Sequence, residues 1–88
     1  MDDKSITGHL NDAIERGENA REMVKSDGWK ELEQWINQTV TQRTLQLLDC
    51  PLDEVYEKRA EVKAFRSILA HVRDAINYGR QASEEVNR

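Results

Sequence analysis

Apolar residues recur along this chain in steps of three and four. The first set is Ile6, Leu10, Ala13/Ile14, Ala20 and Val24, and Gly17 fills the missing step, so the gaps are 4, 3, 4, 3 and 4. That spacing keeps one stripe of a helix apolar and predicts a first helix over about 6–25. Gly17 weakens it, because glycine inside a helix costs about 1 kcal/mol against alanine. Either the helix carries a mild defect there, or a large side chain of a facing helix lies against the glycine.

Ser26-Asp27-Gly28 interrupts the pattern. Ser26 is a good N-cap for a following helix, since its hydroxyl can bond a free backbone N–H. Asp27 then falls in the first turn, where the helix dipole favours a carboxylate, and Gly28 permits a tight reversal. A second helix is expected over about 29–48. Trp29, Leu32, Ile36, Val40 and Leu47 share a face, and Trp35, Leu45 and Leu48 widen it beyond a two-helix seam. A stripe this wide implies two neighbours, or another chain.

Asp49-Cys50-Pro51 ends that helix, because the residue before proline is driven out of the α region. Pro51 suits the first position of a third helix, with Asp53 and Glu54 completing the dipole. Val55, Val62, Phe65, Leu69, Val72 and Ile76 follow with gaps of 7, 3, 4, 3 and 4. A helix over about 52–83 would be roughly 45–50 Å long and would overhang its neighbours or meet another subunit. Met1 to Ser5 are polar and expected to fray. No internal repeat, low-complexity tract or long linker is expected. The fold expected is one all-α domain over residues 1–88, either a three-helix up-down-up bundle or a long helical hairpin with an added N-terminal helix.

Composition narrows the function more than the fold. The chain has 88 residues, 38% of them hydrophobic, including seven alanines, so the core it can build is thin. One proline and four glycines argue against an all-β fold. The single cysteine excludes a disulfide framework and suits a reducing compartment such as the cytoplasm. The longest apolar run, Ile68 to Ala70, is too short for a membrane span or a signal peptide.

The formal charge is −4, unevenly spread: −3 over residues 1–27, −1 over 28–50 and zero over 51–88. With Val62, Leu69 and Ile76 at heptad position a and Phe65 and Val72 at d, the residues Arg59, Arg66, Arg73 and Arg80 all fall at e. The g flank reads Glu61, Ile68, Ala75, Ala82. The Arg column is expected to face the acidic first helix, with Glu15, Glu18 and Glu22 as partners. The alternatives are docking to an acidic protein surface or to nucleic-acid phosphates, although a non-specific nucleic-acid binder is usually basic overall.

No motif of catalysis or cofactor binding occurs. The glycines at 8, 17, 28 and 79 are isolated rather than clustered into a phosphate loop. There is no paired-cysteine or His-Glu-x-x-His motif. His9, Cys50 and His71 are too far apart along an up-down-up bundle to share a metal, and each histidine is expected to be solvated. Cys50, with acidic neighbours Asp49 and Asp53 and no histidine beside it, reads as a loop thiol. No metal, cofactor or catalytic residue is therefore expected. The candidate interaction residues are Arg59, Arg66, Arg73 and Arg80, the anchors Trp29 and Trp35, and the seam residues Phe65 and Leu69.

The order of features also carries a likeness. Arg16-Gly17-Glu18-Asn19-Ala20-Arg21 is followed by Ser26-Asp27-Gly28-Trp29, a polar amphipathic helix, the loop Pro51-Leu52-Asp53-Glu54 and a long helix from Arg59 to Gly79. Over roughly residues 9–80 this resembles small all-helical proteins encoded in phages and prophages, often among head-assembly genes. The resemblance implies a virion-assembly or accessory role and brings no functional residues with it. The function expected is that of a non-enzymatic assembly or interaction protein whose partners are proteins, itself among them as a homo-oligomer. The alternatives are a nucleic-acid-associated regulator or packaging accessory, and an acidic host-directed inhibitor.

Overall fold

The computed structural model describes the backbone of residues 3–88 and the side chains of residues 8–88. Ile6, expected on the first seam, lies outside the described side chains, as Met1 and Asp2 lie outside the described backbone. The protein is all-α: three helices and one short 3-10 turn, with no strand among the described residues. Helix α1 runs over Asp3–Val24, α2 over Asp27–Gln46 and α3 over Val55–Val86. At 1.5 Å per residue they are about 33, 30 and 48 Å long.

The breaks fall where the punctuating residues are, but the boundaries differ from those expected. Only Lys25 and Ser26 separate α1 from α2. The hydroxyl of Ser26 donates to the Met23 carbonyl at 2.6 Å, and the Ser26 amide donates to the same oxygen at 3.0 Å, so this carbonyl at the end of α1 is satisfied. Gly28 makes no reversal: it lies in the first turn of α2, and no described residue has a positive φ. After α2 the amide of Cys50 donates to the Gln46 carbonyl at 3.0 Å. Pro51 precedes the next helical turn instead of opening it, with φ −60° and ψ 149°, and Leu52–Glu54 form the 3-10 turn that leads into α3. Proline's fixed φ and missing N–H suit it to that flanking position as well as to the first turn.

Helix α2 carries three threonines that a helix interior tolerates poorly. Each hydroxyl donates to the carbonyl four residues back, Thr39 to Trp35, Thr41 to Asn37 and Thr44 to Val40, so none is left unsatisfied.

Packing divides the chain into two compact units, and α3 contributes one half to each. In one unit, residues 27–70, α2 packs on the first half of α3. Its core is Ile36, Trp29 and Val62, all buried, with Val40, Leu47, Phe65 and Leu69 half-buried. Trp35 meets Phe65 edge-on at 5.7 Å between centroids, and Arg43 pairs with Glu61 at 3.2 Å. Moving forward along α2 moves the partner backward along α3, so the two run antiparallel. In the other unit, residues 1–26 with 71–88, α1 packs on the second half of α3. Its buried residues are small: Ala13, Gly17, Gly79 and Ala82.

Candidate interaction surfaces

The expected anchors separate. Trp29 is buried, whereas Trp35 is 53% exposed despite its ring contact with Phe65. Leu32, one turn before Trp35, and Ile68, one turn after Phe65, are also about half exposed. Residues three apart on a helix are surface neighbours, so Leu32, Trp35, Phe65 and Ile68 form one apolar flank of the α2–α3 unit. The wide stripe on α2 thus emerges as exposed surface. A second apolar group lies around the turn between the helices, where Leu48, Leu52 and Tyr56 are at least 79% exposed. Leu48 itself belongs to the turn rather than to α2.

The Arg column is exposed at all four positions, but it does not pair with α1. Arg73 lies 3.7 Å from its own neighbour Asp74, and Glu22 pairs with Lys25. No ion pair joins Arg59, Arg66, Arg73 or Arg80 to Glu15, Glu18 or Glu22 among the described residues. The reason is register. The residues of α3 that bury against α1 are Gly79 at heptad position d and Ala82 at g, which leaves e to solvent. Arg80 shares a groove with Glu18, Ile14 and Ser83 beside the crossing.

Gly17 faces no large side chain. It faces Gly79. A methyl group added at Gly17 would stand 2.8 Å from the Gly79 Cα and 3.0 Å from the Ala75 carbonyl oxygen. A methyl group at Gly79 would stand 2.8 Å from the Gly17 Cα and 2.9 Å from the Ala13 carbonyl oxygen. Only two glycines allow the two backbones to come this close.

These contacts are reciprocal, and the reason is an internal repeat, which corrects the expectation that there is none. Ser5, Ile6, His9, Asp12, Ala13, Ile14, Gly17, Ala20, Glu22 and Val24 recur 62 positions later as Ser67, Ile68, His71, Asp74, Ala75, Ile76, Gly79, Ala82, Glu84 and Val86. That is ten identities in twenty positions without a gap. The two copies pack on each other: Gly17 meets the equivalents of itself and of Ala13, and Gly79 does the same in return. The crossing is a pseudo-two-fold. A groove on this unit repeats the symmetry, lined by His9, Asp12, Arg16 and Asn19 and by their equivalents His71, Asp74, Tyr78 and Gln81. The two histidines, expected to lie far apart, therefore share one groove. Among the described residues no three or more His, Cys, Asp or Glu side chains come close enough together to hold a metal ion. Comparing the chain with itself would have revealed the repeat. Reading helix by helix hides it, because one copy is a whole helix and the other is half of a longer one.

Cys50 sits half-buried in the turn, its thiol 3.8 Å from the Leu47 carbonyl. No helix is long and apolar enough to cross a membrane among the described residues. No family model, curated protein or solved structure matches the chain.

Proposed function

We propose that this protein is a non-enzymatic interaction or assembly protein that works through helix surfaces. One observation carries the reading: the α2–α3 unit leaves Leu32, Trp35 and Ile68 about half exposed in one flank around the Trp35–Phe65 contact. Large exposed apolar patches mark sites that another molecule covers, and aromatic anchors supply much of the energy at such sites. The partners proposed are proteins, a second copy of the chain among them. A role in virion assembly, in the cytoplasm of a host or in a virion, follows from the resemblance to small phage-encoded helical proteins. The antiparallel course of α2 and α3 within their unit fits both helix arrangements read from the sequence, the up-down-up bundle and the long hairpin.

The test is a double variant, Trp35→Gln with Ile68→Gln, compared with the parent by sedimentation equilibrium and by capture of partners from cells that carry the gene. The parent is expected to associate and the variant to lose association while keeping its helicity. Equal behaviour of the two, or a clean 10.2 kDa monomer that captures nothing, would defeat the reading.

The exposed Arg59, Arg66 and Arg80, which form no ion pair among the described residues, favour a second reading in which the column binds nucleic-acid phosphates. DNA binding that weakens steeply between low and moderate salt would support it, and no binding at low salt would end it.

A further inference from the structure

The surface of α1 that packs on α3 and the surface of α3 that receives it are near-copies of each other, in sequence and in contact. A joint between two near-identical halves does not require that both halves come from one chain. We propose that the Gly17–Gly79 crossing is exchangeable: in a dimer, α1 of one copy packs on residues 67–88 of a second copy, and the reverse. The proposal rests on the self-association reading above but uses a different surface.

Three observations lead to it. First, an exchange of this kind preserves every contact of the joint, because Gly17 meets the same Gly79 and Ala75, and Gly79 the same Gly17 and Ala13, whichever chain supplies them. Exchange of an identical element is a low-cost route to a dimer. Second, the fully buried part of the joint is small: it consists of two alanines and two glycines, while larger residues such as Ile14, Val72 and Ile76 are only half-buried. Only Lys25 and Ser26 tie α1 to the next helix, and short hinges invite swapping. Third, the charges choose among the pairings. Glu18 and Arg80 occupy equivalent positions of the repeat, next to the two glycines, and line the same groove. Pairing α1 with α1 of another copy would bring Glu18 to Glu18, and pairing the α3 halves would bring Arg80 to Arg80. Pairing α1 with α3 brings opposite charges together. At this position like-charge juxtaposition favours the swapped form over the two homotypic dimers.

The test uses full-length chains with Cys50→Ser and one new cysteine each, Glu18→Cys in one and Arg80→Cys in the other. Neither chain can cross-link within itself. The two are mixed and treated with a short bis-maleimide. The tethered α1 competes at an effective concentration of the order of millimolar. The 18-to-80 link between chains is therefore expected to be scarce at about 10 µM and several-fold more abundant at about 500 µM. Adding Gly79→Leu to the Arg80→Cys chain should abolish it, and Gly8→Leu in the Glu18→Cys chain, at an open position, should not. Links only from 18 to 18 or from 80 to 80, or no link at 500 µM, overturn the proposal. A dimer that sediments as such without the 18-to-80 link overturns it too, while leaving the α2–α3 flank as the site of association. Persistence of the link in Trp35→Gln, Ile68→Gln chains supports the exchange even if that flank proves inert.

Discussion

Replacing Gly17 by alanine sets two effects of opposite sign against each other. In an unobstructed helix interior the change would stabilise by about 1 kcal/mol, because alanine gives up less backbone freedom. At Gly17 the new methyl would stand 2.8 Å from the Gly79 Cα and 3.0 Å from the Ala75 oxygen. Carbon atoms in contact prefer about 3.5–4.0 Å. The obstacle is backbone, which cannot rotate away, so the helices must part by most of an ångström. Overpacking of this kind costs about 1–3 kcal/mol, and separating the helices also thins the contacts of Ala13 and Ala82. The net expectation is a loss of up to about 2 kcal/mol.

The same substitution at Gly8 or Gly28, where nothing lies within 4 Å of the added methyl, keeps only the favourable effect. A domain of this size moves its Tm by about 4–8 °C per kcal/mol. Thermal melting followed by circular dichroism at 222 nm should therefore place Gly17→Ala below the parent and Gly8→Ala above it. The pseudo-two-fold adds a sharper demand: Gly79→Ala must cost about as much as Gly17→Ala, since the distances match to within 0.1 Å. If Gly17→Ala stabilised as much as Gly8→Ala, or if the two crossing glycines differed widely, the reasoning would fail.

Other outcomes follow from burial and pairing. Ile36 is 1% exposed and is the largest fully buried side chain, so Ile36→Ala should cost about 2–5 kcal/mol in urea unfolding. Leu69→Ala, at a half-buried position, should cost clearly less than that, and equal losses would contradict the burial pattern. The Arg43–Glu61 pair is about 40% exposed on both sides. A double-mutant cycle should assign it no more than about 1 kcal/mol, and raising the salt should shrink the coupling. Circular dichroism of the parent should show helix without strand, and a substantial strand signal would contradict the fold.

Much of the fold was legible because hydrophobic period and punctuation agreed. The breaks at Ser26 and Cys50-Pro51 lie where capping chemistry and the geometry before proline put them. The starts at Asp3 and Asp27 and the end at Val86 lie two or three residues beyond those expected, because flanking polar residues extend helices with no apolar signal to mark it, whereas α2 stops before Leu47 and Leu48 and α3 begins only after the 3-10 turn. The surfaces were less legible. Periodicity identifies an apolar stripe but not which part of it a partner covers, so Trp29 and Trp35 looked alike until burial separated them. It also assumes one register for a whole helix. On α3 the first half buries Val62 at position a with Phe65 and Leu69 half-buried at d and a, whereas the second half buries Gly79 at d and Ala82 at g. An a/d seam carried from Val62 to Ile76 sends the Arg column at e toward α1, whereas the residues fully buried in the second half lie at d and g, away from e.

That change of register also explains why the smallest residues carry the most information in the α1–α3 unit. A seam of leucines is tolerant: many large side chains fill it, and neighbouring registers cost little. A crossing at glycine is intolerant, because one position on each helix must be without a Cβ for the backbones to meet. Duplicating a helix that carries such a position supplies both glycines at once, together with the alanine four residues earlier, whose carbonyl each glycine faces. Self-complementarity is then built into the sequence, and divergence elsewhere can act on specificity alone. Arg16 against Tyr78 and Glu18 against Arg80 are such differences between the two copies, next to a contact that both copies share. If they set the pairing, reversing one of them should relax it. Arg80→Glu leaves every pairing like-charged, so links from 16 to 16 and from 78 to 78 between separate chains should gain on the 16-to-78 link, after cysteine substitution at both positions. Adding Glu18→Arg should restore the preference for the 16-to-78 link. Failure of the second change to rescue the first would show that shape, not charge, selects the partner.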